Sequence, residues 1–126
     1  MIGKNNPFNI RYSKRNRWRG QTGSTRGFCD FHTLYDGVRA AVYLVFKSYP
    51  HYGCTSLRDV ISRFAPSNEN DTEKYIAFVA KGAQIQPETD VICEPALVLY
   101  WMSRFEGNAV PLDFILDVLK KMRVYG

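Results

Sequence analysis

The sequence predicts a mainly α domain, α+β in detail, with about five helices standing behind a short, irregular β and loop front. Three observations carry this. From Thr33 onward, apolar residues recur at three- and four-residue spacing in separate runs. Each run is bounded by capping residues, proline or glycine. Residues 1–32 lack that periodicity, are rich in Gly, Asn, Ser and Thr, and are punctuated by Gly20, Gly23 and Gly27. With 126 residues and 45% hydrophobic content a single domain with a real core is expected, 1–32 being its basic front and 33–126 its helical body.

The elements follow in order. In the front, a loop leads to a short irregular β element near Ile10 to Trp18, a turn, and an extended piece at Phe28 to Phe31. Leu34, Val38, Ala41, Val42 and Val45 give one apolar face to a helix from about Leu34 to Ser48, which Pro50 and Gly53 close. Ser56-Leu57-Arg58-Asp59 has the form of a capping box, and Val60, Ile61 and Phe64 form the buried face of a two-turn helix before Pro66. Beyond the polar connection Ser67 to Asn70, either Asp71 or Thr72 can cap a helix that turns Tyr75, Ile76, Phe78 and Val79 inward and stops near Gly82. Residues 83–93 read as a loop. Pro95 suits the first turn of a helix ending at Glu106-Gly107, and Pro111 opens a last helix carrying Phe114, Ile115, Val118, Leu119 and Met122.

Several function classes are disfavoured. The longest apolar run, around Ala96 to Met102, falls far short of the roughly 20 residues of a membrane span, and Met1 to Pro7 lacks the apolar core of a signal peptide. No membrane span and no export signal are therefore expected. Cys29, Cys54 and Cys93 are widely spaced and read as reduced, buried small hydrophobes, so neither a metal nor a cofactor is expected. The glycines of the front lack the spacing of a phosphate-binding loop. His32 beside Phe31 and His51 beside Pro50 read as surface or packing histidines, leaving a histidine-activated nucleophile unsupported.

Carboxylate chemistry remains, and Glu106 stands out. Asp59 and Asp71 look like caps, Glu69 and Glu73 lie beside a cap, and Asp113 and Asp117 occupy the first turns of the last helix, where anions are favoured. Glu106 instead sits at the carbonyl end of an apolar helix, after Trp101 and Phe105. Both the helix end and the apolar neighbours raise a carboxyl pKa and keep a proton available near neutral pH, as a general acid requires. The competing reading is an ordinary Gly107 cap with Glu106 pointing into water. One raised-pKa carboxyl in an aromatic cleft suggests glycosidic bond cleavage. Asn5, Asn6, Asn9, Tyr12, Trp18, Gln21 and Trp101 are candidates to hydrogen-bond or stack on a saccharide.

The charge is local. Residues 1–26 hold Lys4, Arg11, Lys14, Arg15, Arg17, Arg19 and Arg26 and no acid, so these carry seven positive charges; the whole chain is net +5, and the remainder is therefore net −2. The stretch from Arg11 to Arg19 fits phosphates and bases, another anionic polymer, or simply a solvated loop.

The segments Asn5-Asn6-Pro7-Phe8-Asn9-Ile10-Arg11, Trp18-Arg19-Gly20-Gln21, Gly27-Phe28-Cys29-Asp30-Phe31, Gly37-Val38-Arg39-Ala40, Arg63-Phe64-Ala65-Pro66 and Glu69-Asn70-Asp71-Thr72 with Tyr75 resemble a phage-associated lysozyme-like family of virion structural proteins and peptidoglycan lysins. The resemblance covers about residues 5–82. It implies a small lysozyme-like domain acting on the glycan strands of peptidoglycan as a muramidase or lytic transglycosylase. Related lysin domains place Glu-Gly at a helix end before an Asn-Asn-Pro-Gly-Asn segment. Here the matching pair, Glu106-Gly107, follows that segment, as if the order were circularly permuted. Phe8 stands where the family frequently has glycine.

On this reading Glu106 protonates the glycosidic oxygen and then acts as base. Asn6, Asn9 and Arg11 line the site or hold its loop, with Tyr12, Trp18, Gln21 and Trp101 as further substrate contacts. Asp71, Thr72 and Tyr75 are structural, and Arg39 partners a loop carbonyl or acid. The partners implied are peptidoglycan or another anionic wall polymer and other virion proteins, with delivery to the wall by virion or lysis. A non-catalytic virion or wall-binding component and a nucleic-acid-binding module remain the alternatives.

Overall fold

The computed structural model describes residues 1–68 and 71–124. Among these, strands β1 (Gln21–Thr25) and β2 (Phe28–Phe31) precede five α-helices: α1 (Leu34–Tyr43), α2 (Leu57–Phe64), α3 (Thr72–Ala83), α4 (Pro95–Phe105) and α5 (Leu112–Lys121). The domain is mainly α, with one small two-stranded sheet, as the periodicity predicts. No helix in the described residues is long and apolar enough to cross a membrane.

Helix α4 explains its own composition. It packs against α3 on one side and α5 on the other, and Val98, Leu99 and Met102 are fully buried. A helix covered on several faces reads as apolar almost throughout. Around it the core is closed by Val38 and Val42 of α1, Ile61 of α2, Ile76 of α3 and Ile115 and Leu119 of α5.

The irregular β element expected near Ile10 to Trp18 is confined to its start at Ile10 to Tyr12, and a strand proper lies further along the chain. Five bases between Arg11 and Arg19, with no acid to pair them, suit solvent better than a ladder, and only Arg11 bridges to Phe28 there. The strand forms instead at Gln21–Thr25. Arg26 and Gly27, both left-handed at φ 49° and 86°, make the tight turn into Phe28–Phe31. The preceding loop then lies along the free edge of β2. Phe31 N–H donates to the Lys4 carbonyl at 2.8 Å, Cys29 N–H to Ile10 at 2.9 Å, and Tyr12 N–H to Gly27 at 2.8 Å.

Thr33 caps α1, its hydroxyl oxygen accepting from Asp36 N–H at 3.1 Å. Gly37 is where the front meets this helix, because a side chain there would collide with the Asn5 carbonyl. The helical path runs past the expected end at Ser48. A π-helical turn (Leu44–Ser48) passes into a 3₁₀ turn (Tyr49–Tyr52), which left-handed Gly53 closes. Ser56 caps α2 through Asp59 N–H at 3.1 Å. Asp71, not Thr72, caps α3, accepting from Lys74 N–H at 3.2 Å. The buried Thr72 hydroxyl instead donates to Ala65 at 2.6 Å and ties the start of α3 to the end of α2. The Glu69-Asn70 part of the motif lies outside the described residues.

One inward assignment on α3, Phe78, needs correction. Helix α3 ends at Ala83, near Gly82 as expected, with Gln84 left-handed after it. Gly82 is a packing site, since the Trp101 ring occupies the space a side chain would fill. Phe78 remains 39% exposed and covers the edges of Trp101 and Phe105 from outside. Of the cysteines only Cys29 is buried; Cys54 is half-buried and Cys93 exposed.

Candidate active site

The site is built where two chain segments 97 residues apart meet. The first is the end of α4. Gly107 is left-handed at φ 88°, its N–H donates to Arg104 at 3.0 Å, and Asn108 N–H donates to Ser103 at 2.9 Å. These are the two bonds of a Schellman motif, and they make Glu106 the C-cap. Gly107 is thus an ordinary cap, yet Glu106 does not point into bulk water. It is half-buried, with Tyr75 and Phe105 stacked beneath the helix end at 4.0 Å between ring centroids.

The second segment is the turn Asn6–Asn9, closed by Asn9 N–H donating to the Asn6 carbonyl at 3.1 Å. Pro7 occupies the second turn position, and Phe8, fully buried, anchors the third in the core. The left-handed residue is Asn9 at φ 51°, one place after the family's glycine, and asparagine tolerates that conformation. Phe8 is therefore accommodated without positive φ. The two segments are clasped by Asn108 Nδ2 donating to the Pro7 carbonyl at 2.9 Å.

Across this junction Asn9 Nδ2 donates to Glu106 Oε1 at 3.0 Å and to the Glu106 carbonyl at 3.3 Å. Burial pushes the Glu106 carboxyl above its ordinary range, outweighing the Asn9 hydrogen bond, the Tyr75 hydroxyl and the positive charge of Arg11, which all favour the ionised form. Burial likewise holds the Tyr75 phenol well above its usual value, and the Glu106 charge adds to it. Asn9 Oδ1 is buried with no hydrogen-bond partner among the described residues. If the amide turns over, that oxygen can accept from the protonated carboxyl, so one side chain serves both protonation states. Replacing Asn9 by Gly keeps the left-handed backbone and removes the donor. The Glu106 pKa is then expected to rise further, read by carboxyl ¹³C NMR titration; an unchanged or lower value would mean that Asn9 does not stabilise the carboxylate.

Glu106 and Asn9 form one wall of an open cleft of about 340 Å³. Arg11, Asn16 and Trp18 line it from the front, and Leu44, Tyr49, Arg63 and Phe64 from the helices. The Arg11 guanidinium lies 4.8 Å from the Phe28 ring centroid, and that of Arg63 4.0 Å from the Tyr52 centroid. Tyr49 is buried, which raises its phenol to about 12. It therefore stays neutral and offers an uncharged hydroxyl.

The expected site residues separate on this geometry. Glu106, Asn9, Arg11 and Trp18 come together. Asn6 does not reach the cleft: it is completely buried, donating to the Ile10 and Cys29 carbonyls at 3.0 Å each. Gln21 is spent on its own turn, accepting from Trp18 N–H at 3.0 Å, and with the exposed Tyr12 it lines a neighbouring recess. Trp101 packs against Gly82 and Phe78 away from the cleft. Arg39 is half-buried beside Arg15, Arg17 and Arg19, and among the described residues its side chain makes no hydrogen bond or ion pair. Tyr75 is buried, its hydroxyl donating to the Met102 carbonyl at 3.4 Å, and it also acts electrostatically on Glu106. Asn16, Tyr49 and Arg63 were not foreseen as cleft residues. Arg63 had a signal in its motif, whereas Tyr49 directly follows the π turn, which no local signal in the sequence announced.

No protein-family model matches the chain. Protein P5 of Pseudoalteromonas phage PM2 is 38% identical over 126 aligned residues, covering 95% of this chain and 77% of that protein. An identity of this level over most of both chains shows common descent, and the chain belongs to the family of phage PM2 Protein P5.

Proposed function

We propose that this protein cleaves the glycan strands of peptidoglycan, with Glu106 as the single general acid and base. The observation that carries the reading is the contact between Glu106 and Asn9. A carboxyl whose pKa burial raises is held at the wall of an open cleft by the Asn-rich turn that the lysin resemblance pairs with it. A phage relative suits the phage-associated reading.

Glu106 donates its proton to the glycosidic oxygen as that bond breaks. Enzymes that hydrolyse with a second carboxylate need it across the scissile bond. Among the described residues Glu106 is the one carboxylate lining the cleft. This favours lytic transglycosylation as the finer reading. The Glu106 carboxylate takes the proton of the substrate's own C6 hydroxyl, whose oxygen attacks C1 and closes an anhydro ring without consuming water. Arg11 and Arg63 flank the cleft for anionic groups, and Trp18 offers an apolar face to a sugar ring.

Incubation of purified sacculi with the wild-type protein is expected to release soluble muropeptides whose ends are lighter by one water than hydrolysis products. Products carrying the added water would favour a muramidase. Tight sedimentation with sacculi and no released fragments would replace the enzymatic reading with a wall-binding virion component.

A further inference from the structure

Beside the cleft lies a second recess of about 460 Å³ that shares Asn16, Trp18 and Leu44 with it. Its far side is formed by Arg15, Arg17 and Arg19 of the front loop facing Arg39 and Tyr43 of α1. A shallower depression continues from Arg19 and Arg39 toward Lys47 and Lys121. Among the described residues no acid lines either hollow, and the arginines and Lys47 form no ion pair, whereas Lys121 is held by Asp117 at 2.9 Å. The front contributes guanidinium forks from one wall and Arg39 from the other, an arrangement that repels itself when empty and is neutralised by an anion seated between.

We infer that this recess is an exosite for the acidic peptide stems of the same glycan strand whose backbone enters the Glu106 cleft. The inference rests on the glycan-cleaving function proposed above. Continuity favours it, because a linear polymer lying past Trp18 passes from one hollow into the other. Guanidinium forks match carboxylates in bidentate fashion. The aromatic rings favour it over single-stranded nucleic acid, which binds by stacking bases on open faces. Trp18 is half-buried and meets Tyr43 edge-on at 6.0 Å, leaving no paired stacking platform in the recess.

The test compares stem-bearing glycan with strands stripped of their stems by an amidase. It uses the full chain and the Arg17→Glu/Arg39→Gln double variant, both residues lining the recess, with circular dichroism confirming that the variant folds. Since each exposed ion pair is worth up to about a factor of five, KM for stem-bearing glycan is expected to rise roughly tenfold in the double variant. The rise should shrink as salt is added, with kcat unchanged and stripped strands cleaved as by wild type. Equal KM values on stem-bearing glycan would overturn the exosite. Absence of turnover by wild type on both substrates would instead sink the glycan-cleaving function. Sedimentation with stem-bearing sacculi then reads the recess without catalysis, and about tenfold weaker binding of the double variant is expected. Unchanged sedimentation, alone or with lost affinity for a single-stranded oligonucleotide, would overturn the inference.

Discussion

Glu106→Gln is expected to lower the rate of muropeptide release by about 10³-fold while leaving sedimentation with sacculi unchanged. Glutamine keeps the size of the side chain and an oxygen for Asn9 Nδ2, so the 3.0 Å contact and the clasp between the two segments survive. What disappears is the proton that must reach the leaving oxygen. Wild-type activity should accordingly fall as pH rises through the elevated Glu106 pKa, because the acid form is then lost. Stability should move in a linked way. The folded carboxyl binds its proton more tightly than the unfolded one, whose value is 4.5. Its contribution is fully present below 4.5 and is lost as pH rises through the folded value. Glu106→Gln has no such loss, so at neutral pH its thermal midpoint should equal or exceed that of wild type, the usual relation between a strained site and stability. Equal muropeptide release by the two proteins would remove Glu106 from the chemistry.

The helical body was legible because each of its signals is local. Ser56 and Asp71 cap where side-chain oxygens precede apolar runs, Pro95 opens α4, and the period of Val38, Ala41 and Val42 fixes the buried face of α1. Glu106 could be singled out for the same reason, as an acid at the wrong end of its helix. The failures are of another kind. An asparagine in a glycine-punctuated loop reads alike whether it meets substrate or buried carbonyls, and only the long-range contact with Cys29 decides that Asn6 is internal. Gly82 carries the signature of a helix stop, but the Trp101 ring lying on it is a tertiary fact. The front strand was misplaced because alternation in Arg11 to Arg19 is weak and the left-handed Arg26-Gly27 pair, which actually sets the hairpin, is a strong turn signal only for its glycine. The pairing of Asn9 with Glu106 was accessible through resemblance alone, since no local rule links residues so far apart.

Asn6→Ala is expected to destabilise the fold by about 3 kcal/mol, lowering the thermal midpoint by roughly 10 °C, without raising KM at temperatures where the variant is folded. The Asn6 side chain makes three buried bonds, donating to the Ile10 and Cys29 carbonyls and accepting from Ile10 N–H at 2.9 Å. Alanine removes all three and leaves the Ile10 donor without its acceptor, in a site too enclosed for bulk water to replace it. Asn6→Asp is expected to be worse near neutral pH, because it sets an anion against two carbonyl oxygens that previously received N–H groups. Acidification should partly rescue it, since the protonated acid can donate to one of them. A substrate contact predicts the opposite pattern, a raised KM with little change in thermal midpoint. The distinction matters for the site because Asn6 closes the turn that delivers Asn9 to Glu106. If Asn6→Ala melts as wild type does, that turn is held by its own Asn9-to-Asn6 backbone bond, Phe8 and the Asn108 clasp, and the Asn6 side chain has no part in positioning the acid.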